Sequence, residues 1–149
     1  MLRRKFLKQS GKLKIEAGRT LSSDEQEIAN LLTAEGKNVK APKEVNIPGI
    51  KNPDLEVEGV KTELKTIENI TSADIGGALS RRIYEAGRQA PNVIIDVRKQ
   101  AGMTEEIAEN AAERAFLLQK RTGNERLKEV RLLGVDFDFT VKKQFYGKR

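Results

Sequence analysis

Apolar and polar residues alternate on both sides of the dipeptide Glu58-Gly59, between residues 54 and 67. Alternation with a period of two is typical of β-strands, and a turn dipeptide between two alternating runs predicts an antiparallel hairpin. A two-residue turn would set Asp54 opposite Glu63. Because side chains alternate between the two faces of a strand, four charged residues share one face: Asp54, Glu56, Glu63 and Lys65. The other face is shared by apolar residues: Leu55, Val57, Val60 and Leu64.

The rest of the chain contains three helical patterns and several shorter apolar runs. Capping residues, apolar periodicity and closing Gly or Pro residues predict helices over 22–36, 71–90 and 104–123. Short apolar or alternating runs predict strands over 39–41, 92–98, 127–133 and 135–141. This order predicts a mixed β-sheet flanked by helices, in the α/β (α+β) class. Residues 1–20 show no clear period and are expected to form a basic linker or extension before a single domain at 21–149.

The composition limits the chemistry that is open to the chain. None of its 149 residues is cysteine or histidine, so thiolate and imidazole metal ligands are absent and histidine-based hydrolysis is excluded. The formal net charge of +6, with Lys and Arg concentrated at both ends, favours a polyanionic partner. No apolar run approaches the length of a membrane span. Because histidine and cysteine are absent, any hydrolysis has to use a metal ion, carboxylates or lysine.

The facing carboxylates of the hairpin indicate a cation site. Like charges directly opposite each other on paired strands destabilise the pairing, and a divalent cation between Asp54 and Glu63 would remove that penalty. A site of carboxylates, carbonyls and water suits Mg²⁺, Mn²⁺ or Ca²⁺. The alternative is a solvated hairpin face on which Glu63 and Lys65 form an ordinary ion pair.

Glu25, near the start of the first helix, is open to two interpretations. It lies on the same helix face as Leu32 and could lean towards the hairpin. It is also the third residue of a capping box that begins at Ser22, in which its carboxylate would bond the main chain instead. Spacing alone does not separate the two roles.

The order of these residues resembles a known nuclease family. Glu25 on an opening helix, Pro53-Asp54, then Glu63-x-Lys65 on the next strand and a helix that carries Gln89 match the layout of the PD-(D/E)XK nucleases. The helix text EQEIANLLTAEG is similar to the corresponding helix of archaeal Holliday-junction resolvases. Over residues 21–133, which include the strand NVIIDVR, the chain resembles the C-terminal tRNase toxin domains of contact-dependent growth inhibition (CdiA-type) proteins. The resemblance implies a restriction-endonuclease-like core.

The resemblance also implies a role for each matching position. Asp54 and Glu63 would bind the metal, together with the main-chain carbonyl of Leu64. Lys65 would orient or deprotonate water, or stabilise charge on the phosphate. Glu25 would bind through water or hold a second cation. Mg²⁺ is the expected metal, with Mn²⁺ as the alternative.

Substrate contacts are expected from a further set of side chains: Arg81, Arg82, Arg88, Gln89 and Arg98. The arginines of the second helix form a candidate basic surface, or else a solvated helix face. Arg98 could bind a phosphate in a bidentate manner, or it could form a structural pair with Asp96. Gln89 could contact the metal-bound water or a phosphate, or it could be an ordinary surface residue.

The resemblance therefore implies a metal-dependent endonuclease that hydrolyses RNA, with tRNA as the expected substrate, and that acts as a bacterial toxin. It also implies a cognate immunity protein, delivery as the C-terminal part of a larger protein, and action in the cytoplasm of a target bacterial cell. A DNA endonuclease of the same fold and a non-catalytic nucleic-acid-binding domain are the alternatives. The sequence does not separate RNA from DNA, because cleavage of either backbone needs the same residues.

Overall fold

The computed structural model describes residues 10–49 and 52–143. Most of the two basic ends predicted to favour a polyanionic partner lies outside these residues. The chain divides into two compact units, residues 1–61 and residues 62–149. Three helices and seven strands are found in the described residues, which confirms the predicted α/β class. The prediction of a single domain over 21–149 stays a prediction.

The first unit contains one helix and short strands. Its complete elements are β1 (Leu13–Ile15), α1 (Ser23–Ala34), β2 (Val39–Ala41) and β3 (Leu55–Val57). Strand β1 pairs with β2 in parallel, and β2 pairs with β3 in antiparallel. Strand β1 was not predicted, because three residues of a basic segment are too short to show a period.

The turn of the predicted hairpin is present. Glu58 has φ +51° and Gly59 has φ +81°. Positive φ at both central residues is what a type I′ turn needs, and this turn matches the twist of the strands that it joins. Strand β4 (Val60–Thr66) follows directly. The pairing of Asp54 with Glu63 stays a prediction.

The second unit begins within β4 and contains the larger elements. These are α2 (Ile75–Gly87), β5 (Asn92–Asp96), α3 (Glu105–Thr122), β6 (Glu129–Leu133) and β7 (Asp138–Lys142). Strands β4, β5 and β6 pair in parallel, and β7 pairs with β6 in antiparallel. Both units thus contain parallel and antiparallel pairs, which confirms the mixed character of the sheet.

Helices α2 and α3 cover one face of the sheet in the second unit. Side chains of register partners lie on the same face of a sheet, so Val93 and Ile95 of β5 share a face with Val130 and Leu132 of β6. These four residues form a core with the apolar stripes of both helices. The unbroken apolar run in β5 is therefore buried, as a central parallel strand requires.

Two elements begin three or more residues later than expected. Helix α2 begins at Ile75 rather than near residue 71, because the side chain of Asp74 accepts a hydrogen bond from Gly77 N at 2.9 Å and caps the helix there. Strand β7 begins at Asp138 because Gly134 N donates to Phe137 O at 2.8 Å and closes a turn before it. None of the helices in the described part of the chain has the length and hydrophobicity that a membrane span requires.

Candidate active site

Glu63 and Lys65 occupy the same face of β4, as the alternation of the sequence predicts. Their register partners on β5 are Val93 and Ile95, so both charged side chains start from the face that α2 and α3 cover. Glu63 is 4% exposed. Burying an ionised carboxylate is costly unless a cation or hydrogen bonds compensate for it. The position of Glu63 therefore needs a specific partner.

Lys65 supplies such a partner without being fixed in place. Its Nζ atom lies 3.4 Å from Glu63 Oε2, and its side chain is 40% exposed. That distance is longer than the 2.7–2.9 Å of a strong charge-assisted hydrogen bond. The ammonium group is thus held near a buried negative charge while it still faces solvent. It can reach an anion that approaches from outside.

A second carboxylate–cation pair lies at the end of β5. Asp96 has Thr66 and Leu133 as register partners, which places it on the opposite face of the sheet from Glu63. Arg98 Nε and Nη2 donate to Asp96 Oδ1 and Oδ2 at 2.9 Å and 2.7 Å. Burial alone would raise the pKa of Asp96, but the hydrogen bonds and charge of Arg98 outweigh it, so the pKa lies below its ordinary value. The structural pair considered for these residues is present.

Glu25 lies in the first unit, where both of its oxygens accept hydrogen bonds. Its Oε1 accepts from Ser22 N at 2.8 Å, and Ser22 Oγ accepts from Glu25 N at 3.1 Å. Its Oε2 accepts from Arg19 Nη2 at 2.9 Å. The capping box that the sequence allowed is therefore formed. The role of Glu25 in metal binding stays a prediction.

Asp54 is a half-buried residue of the first unit that directly precedes β3. Leu64, whose carbonyl was expected to bind the metal, lies on β4 between Glu63 and Lys65 and pairs in register with Ile94. The metal-binding roles of Asp54 and Leu64 stay predictions.

The residues in and directly after α2 that were expected to contact substrate do not lie together. Arg81 and Arg82 are exposed, and Arg81 lines a cleft with residues of α3. Arg88 is the C-cap of the helix, and its carbonyl accepts from Arg126 Nη1 at 2.8 Å. Gln89 is half-buried. Their contacts with a substrate stay predictions.

Sequence reasoning missed two arginines of α3, Arg114 and Arg121, which line the same cleft as Arg81. A signal was present, because residues seven apart on a helix lie on one face, two turns from each other. It could not be used without knowing that α3 packs beside α2.

The chemistry of the described side chains can be compared with the needs of a divalent cation. In residues 10–49 and 52–143, no three acidic side chains lie close enough together to form a ready-made metal cluster. Mg²⁺ does not require one, since it keeps several waters and is bound by one or two carboxylates together with substrate phosphates. A buried carboxylate such as Glu63 fits this kind of site.

Comparisons with known proteins identify the family of the chain. No curated protein matches it. It is similar to a solved structure, the CdiA-CT/CdiI toxin and immunity complex from Burkholderia pseudomallei, with 17% sequence identity and a TM-score of 0.55, over 89% of this chain and 99% of that one. This likeness shows the fold. The family model of the contact-dependent growth inhibition CdiA C-terminal domain matches residues 51–138. The PD-(D/E)XK assignment stays a prediction. Because the family model spans more than half of the chain, the chain belongs to the family of contact-dependent growth inhibition CdiA C-terminal domains.

Proposed function

We propose that this CdiA C-terminal toxin domain is a metal-dependent endonuclease that hydrolyses phosphodiester bonds of RNA, with tRNA as its substrate. The observation that carries the proposal is the pair of Glu63 and Lys65 on β4. A carboxylate that is 4% exposed lies 3.4 Å from an ammonium group whose side chain is 40% exposed. A domain that served only to bind nucleic acid would have no use for a buried negative charge beside a group that attracts phosphate.

Each member of the pair has a defined task in this proposal. The positive charge of Lys65 attracts the phosphate and stabilises the extra negative charge that develops on it in the transition state. Glu63 holds the ammonium group of Lys65 near the reacting phosphate and supplies oxygen ligands for a hard cation. Because the partly buried ammonium is less well solvated than one in free solution, its charge acts more strongly on a bound phosphate.

The metal in the proposal is Mg²⁺, with Mn²⁺ as the alternative. When bound, such an ion activates water and neutralises charge on the phosphate. Glu63 would hold it within the second unit. Asp54, the carbonyl of Leu64 and Glu25 carry the roles predicted from the sequence. For Glu25 that role competes with its observed hydrogen bonds to Ser22 and Arg19.

The substrate and the partner rest on other support. The net charge of +6 suits a polyanion, and tRNA is the substrate implied by the sequence resemblance to CdiA-type tRNase domains. The similar structure is that of a toxin and immunity complex, which supports a cognate immunity protein for this chain. Delivery within a larger protein and action in the cytoplasm of a target cell belong to the same proposal.

The test is a cleavage assay on the purified chain with tRNA and with duplex DNA, in Mg²⁺ and in excess chelator. We expect cleavage of tRNA that depends on the added cation. Lys65→Ala should lower the single-turnover rate by at least about 100-fold while changing the affinity for tRNA much less, since its contact is made mainly in the transition state.

Lys61→Ala is the matched control, because it removes the same charge from the same strand at an exposed position. It should cleave like the wild type. Cleavage of duplex DNA alone would make the domain a DNA endonuclease. Full activity in chelator would refute the metal-dependent mechanism, and no cleavage of either substrate would leave a binding domain.

A further inference from the structure

A cleft between α2 and α3 gathers three arginines on one side of the second unit. It has a volume of about 240 Å³ and is lined by Ser80 and Arg81 of α2, and by Arg114, Leu117 and Arg121 of α3. A Cβ atom added at Gly76 would lie 3.7 Å from Arg114 Nη1, so this guanidinium group reaches the first turn of α2. The three positive charges thus come from two elements and converge on one concave surface.

These charges are not balanced by neighbouring acids. In the part of the chain that the structure describes, no carboxylate lies within ion-pair distance of Arg81, Arg114 or Arg121. Other described arginines do have such partners, as in the pairs of Arg19 with Glu25 and Arg131 with Asp138. Like charges brought together without a counter-charge cost free energy, and a bound anion removes that cost.

Ser80 adds an independent observation. It is 6% exposed and lines the cleft, and its side-chain hydroxyl makes no hydrogen bond with any other described residue. An oxyanion in the cleft would accept its hydrogen bond.

We propose that this cleft is a phosphate subsite for the RNA substrate, in which Arg81, Arg114, Arg121 and the hydroxyl of Ser80 bind one backbone phosphate. The inference rests on the proposed function and extends it. Two of the three arginines belong to α3, whereas the sequence predicted a basic surface on α2. Guanidinium groups suit the proposal, since each can donate two parallel hydrogen bonds to phosphate oxygens.

Leu117 favours a nucleotide over an isolated anion. Its side chain is 50% exposed and lies at the same cleft. A ribose or base attached to the phosphate would cover this apolar surface. An acidic side chain of a protein partner would satisfy the charge as well, so the experiment has to separate an RNA from an acidic polypeptide.

The experiment measures binding of total bacterial tRNA by fluorescence anisotropy at several salt concentrations, in a Lys65→Ala background that prevents turnover. Arg81→Gln, Arg114→Gln and Arg121→Gln are each compared with Lys120→Gln. Lys120 is the matched control, because it is exposed on the same helix as Arg121 and does not line the cleft. Poly-L-glutamate serves as the acidic polypeptide probe, and circular dichroism checks the fold.

We expect each arginine variant to bind tRNA roughly tenfold more weakly and to lower the slope of log K against log salt by about one. Lys120→Gln should change the affinity less than about twofold. Equal binding of tRNA by all four variants would overturn the subsite. So would a loss of poly-L-glutamate binding as large as the loss for tRNA, since the cleft would then accept an acidic protein.

Cleavage by the wild type separates this inference from the proposed function. If the wild type cleaves tRNA and the arginine variants behave like Lys120→Gln, the subsite is wrong and the nuclease stands. If the wild type cleaves nothing while tRNA binding still depends on the three arginines, the nuclease is wrong and the subsite is supported.

Discussion

Strands β4 and β5 each carry a buried carboxylate followed two residues later by a cation. The cation side chains are equally exposed, 40% for Lys65 and 39% for Arg98, yet the two pairs differ in how the cation is held. Asp96 and Arg98 are joined by two short hydrogen bonds in a fixed fork. Glu63 and Lys65 are joined by a longer contact of 3.4 Å. The same spacing in the sequence thus produces a structural clamp of Asp96 with Arg98 and, on the neighbouring strand, a lysine that its carboxylate holds only loosely.

The difference has a clear physical cause. A planar guanidinium group matches both oxygens of a carboxylate, whereas an ammonium group is a point charge on a flexible stem. The clamp also lies on the opposite face of the sheet from Glu63. Residues at equal spacing are therefore not equal candidates for chemistry. The pair with the looser geometry is the one whose cation can leave its carboxylate to act on a substrate.

The largest difference between the two pairs is expected in the cleavage rate. Glu63→Gln and Asp96→Asn both replace a buried carboxylate by an amide of the same shape. We expect Glu63→Gln to lower the single-turnover rate of tRNA cleavage by at least about 100-fold, because the amide neither holds the lysine by charge nor serves well as a metal ligand. Asp96→Asn should stay within about threefold of the wild type. A larger loss in Asp96→Asn than in Glu63→Gln would reverse the assignment of roles.

Stability should show the opposite order. Asp96→Asn removes the charged acceptor of the bidentate pair, and we expect the free energy of unfolding to fall by about 1–3 kcal/mol. Glu63→Gln should leave it nearly unchanged or slightly raise it, because a buried negative charge is removed. Urea unfolding followed by circular dichroism measures both variants. The contrast fails if Glu63→Gln proves the less stable of the two.

The smallest effect is the pH dependence of the clamp. Because the pKa of Asp96 in the folded chain lies below its ordinary value of 3.8, its stabilising effect is complete above that value and is lost as the pH falls through the folded pKa. The difference in unfolding free energy between the wild type and Asp96→Asn should therefore be constant above about pH 5 and shrink below about pH 4. A difference that stayed constant down to pH 2 would show that the charge of Asp96 contributes nothing to it.

Local patterns predicted much of the fold. The Glu58-Gly59 turn, the capping box of Ser22 with Glu25, and the buried strand that contains Val93 all follow from residues close together in the sequence. Strand β1 and the start of α2 at Ile75 were missed. A strand of three residues shows no period, and a helix start is set by whichever capping side chain wins among several candidates.

The sequence likewise predicted some features of the candidate site and missed others. The shared face of Glu63 and Lys65 follows from alternation alone, since they are two residues apart on one strand. The capping role of Glu25 was one of two readings, and its bond with Arg19 adds a contact that spacing could not reveal. The sequence left Arg98 with two possible roles, binding a phosphate or pairing with Asp96, and the structure shows the pair with Asp96.

The sequence by itself determined the element types, the restriction to oxygen ligands, and the shared face of Glu63 and Lys65 on β4. Each of these depends on residue identity and on neighbours within a few positions. Tertiary structure alone decided which charges are buried, which face of the sheet Asp96 occupies, and that Arg81 of α2 meets Arg114 and Arg121 of α3. Burial and convergence depend on how helices and strands pack, and packing joins residues whose separation along the chain carries no information about their distance in space.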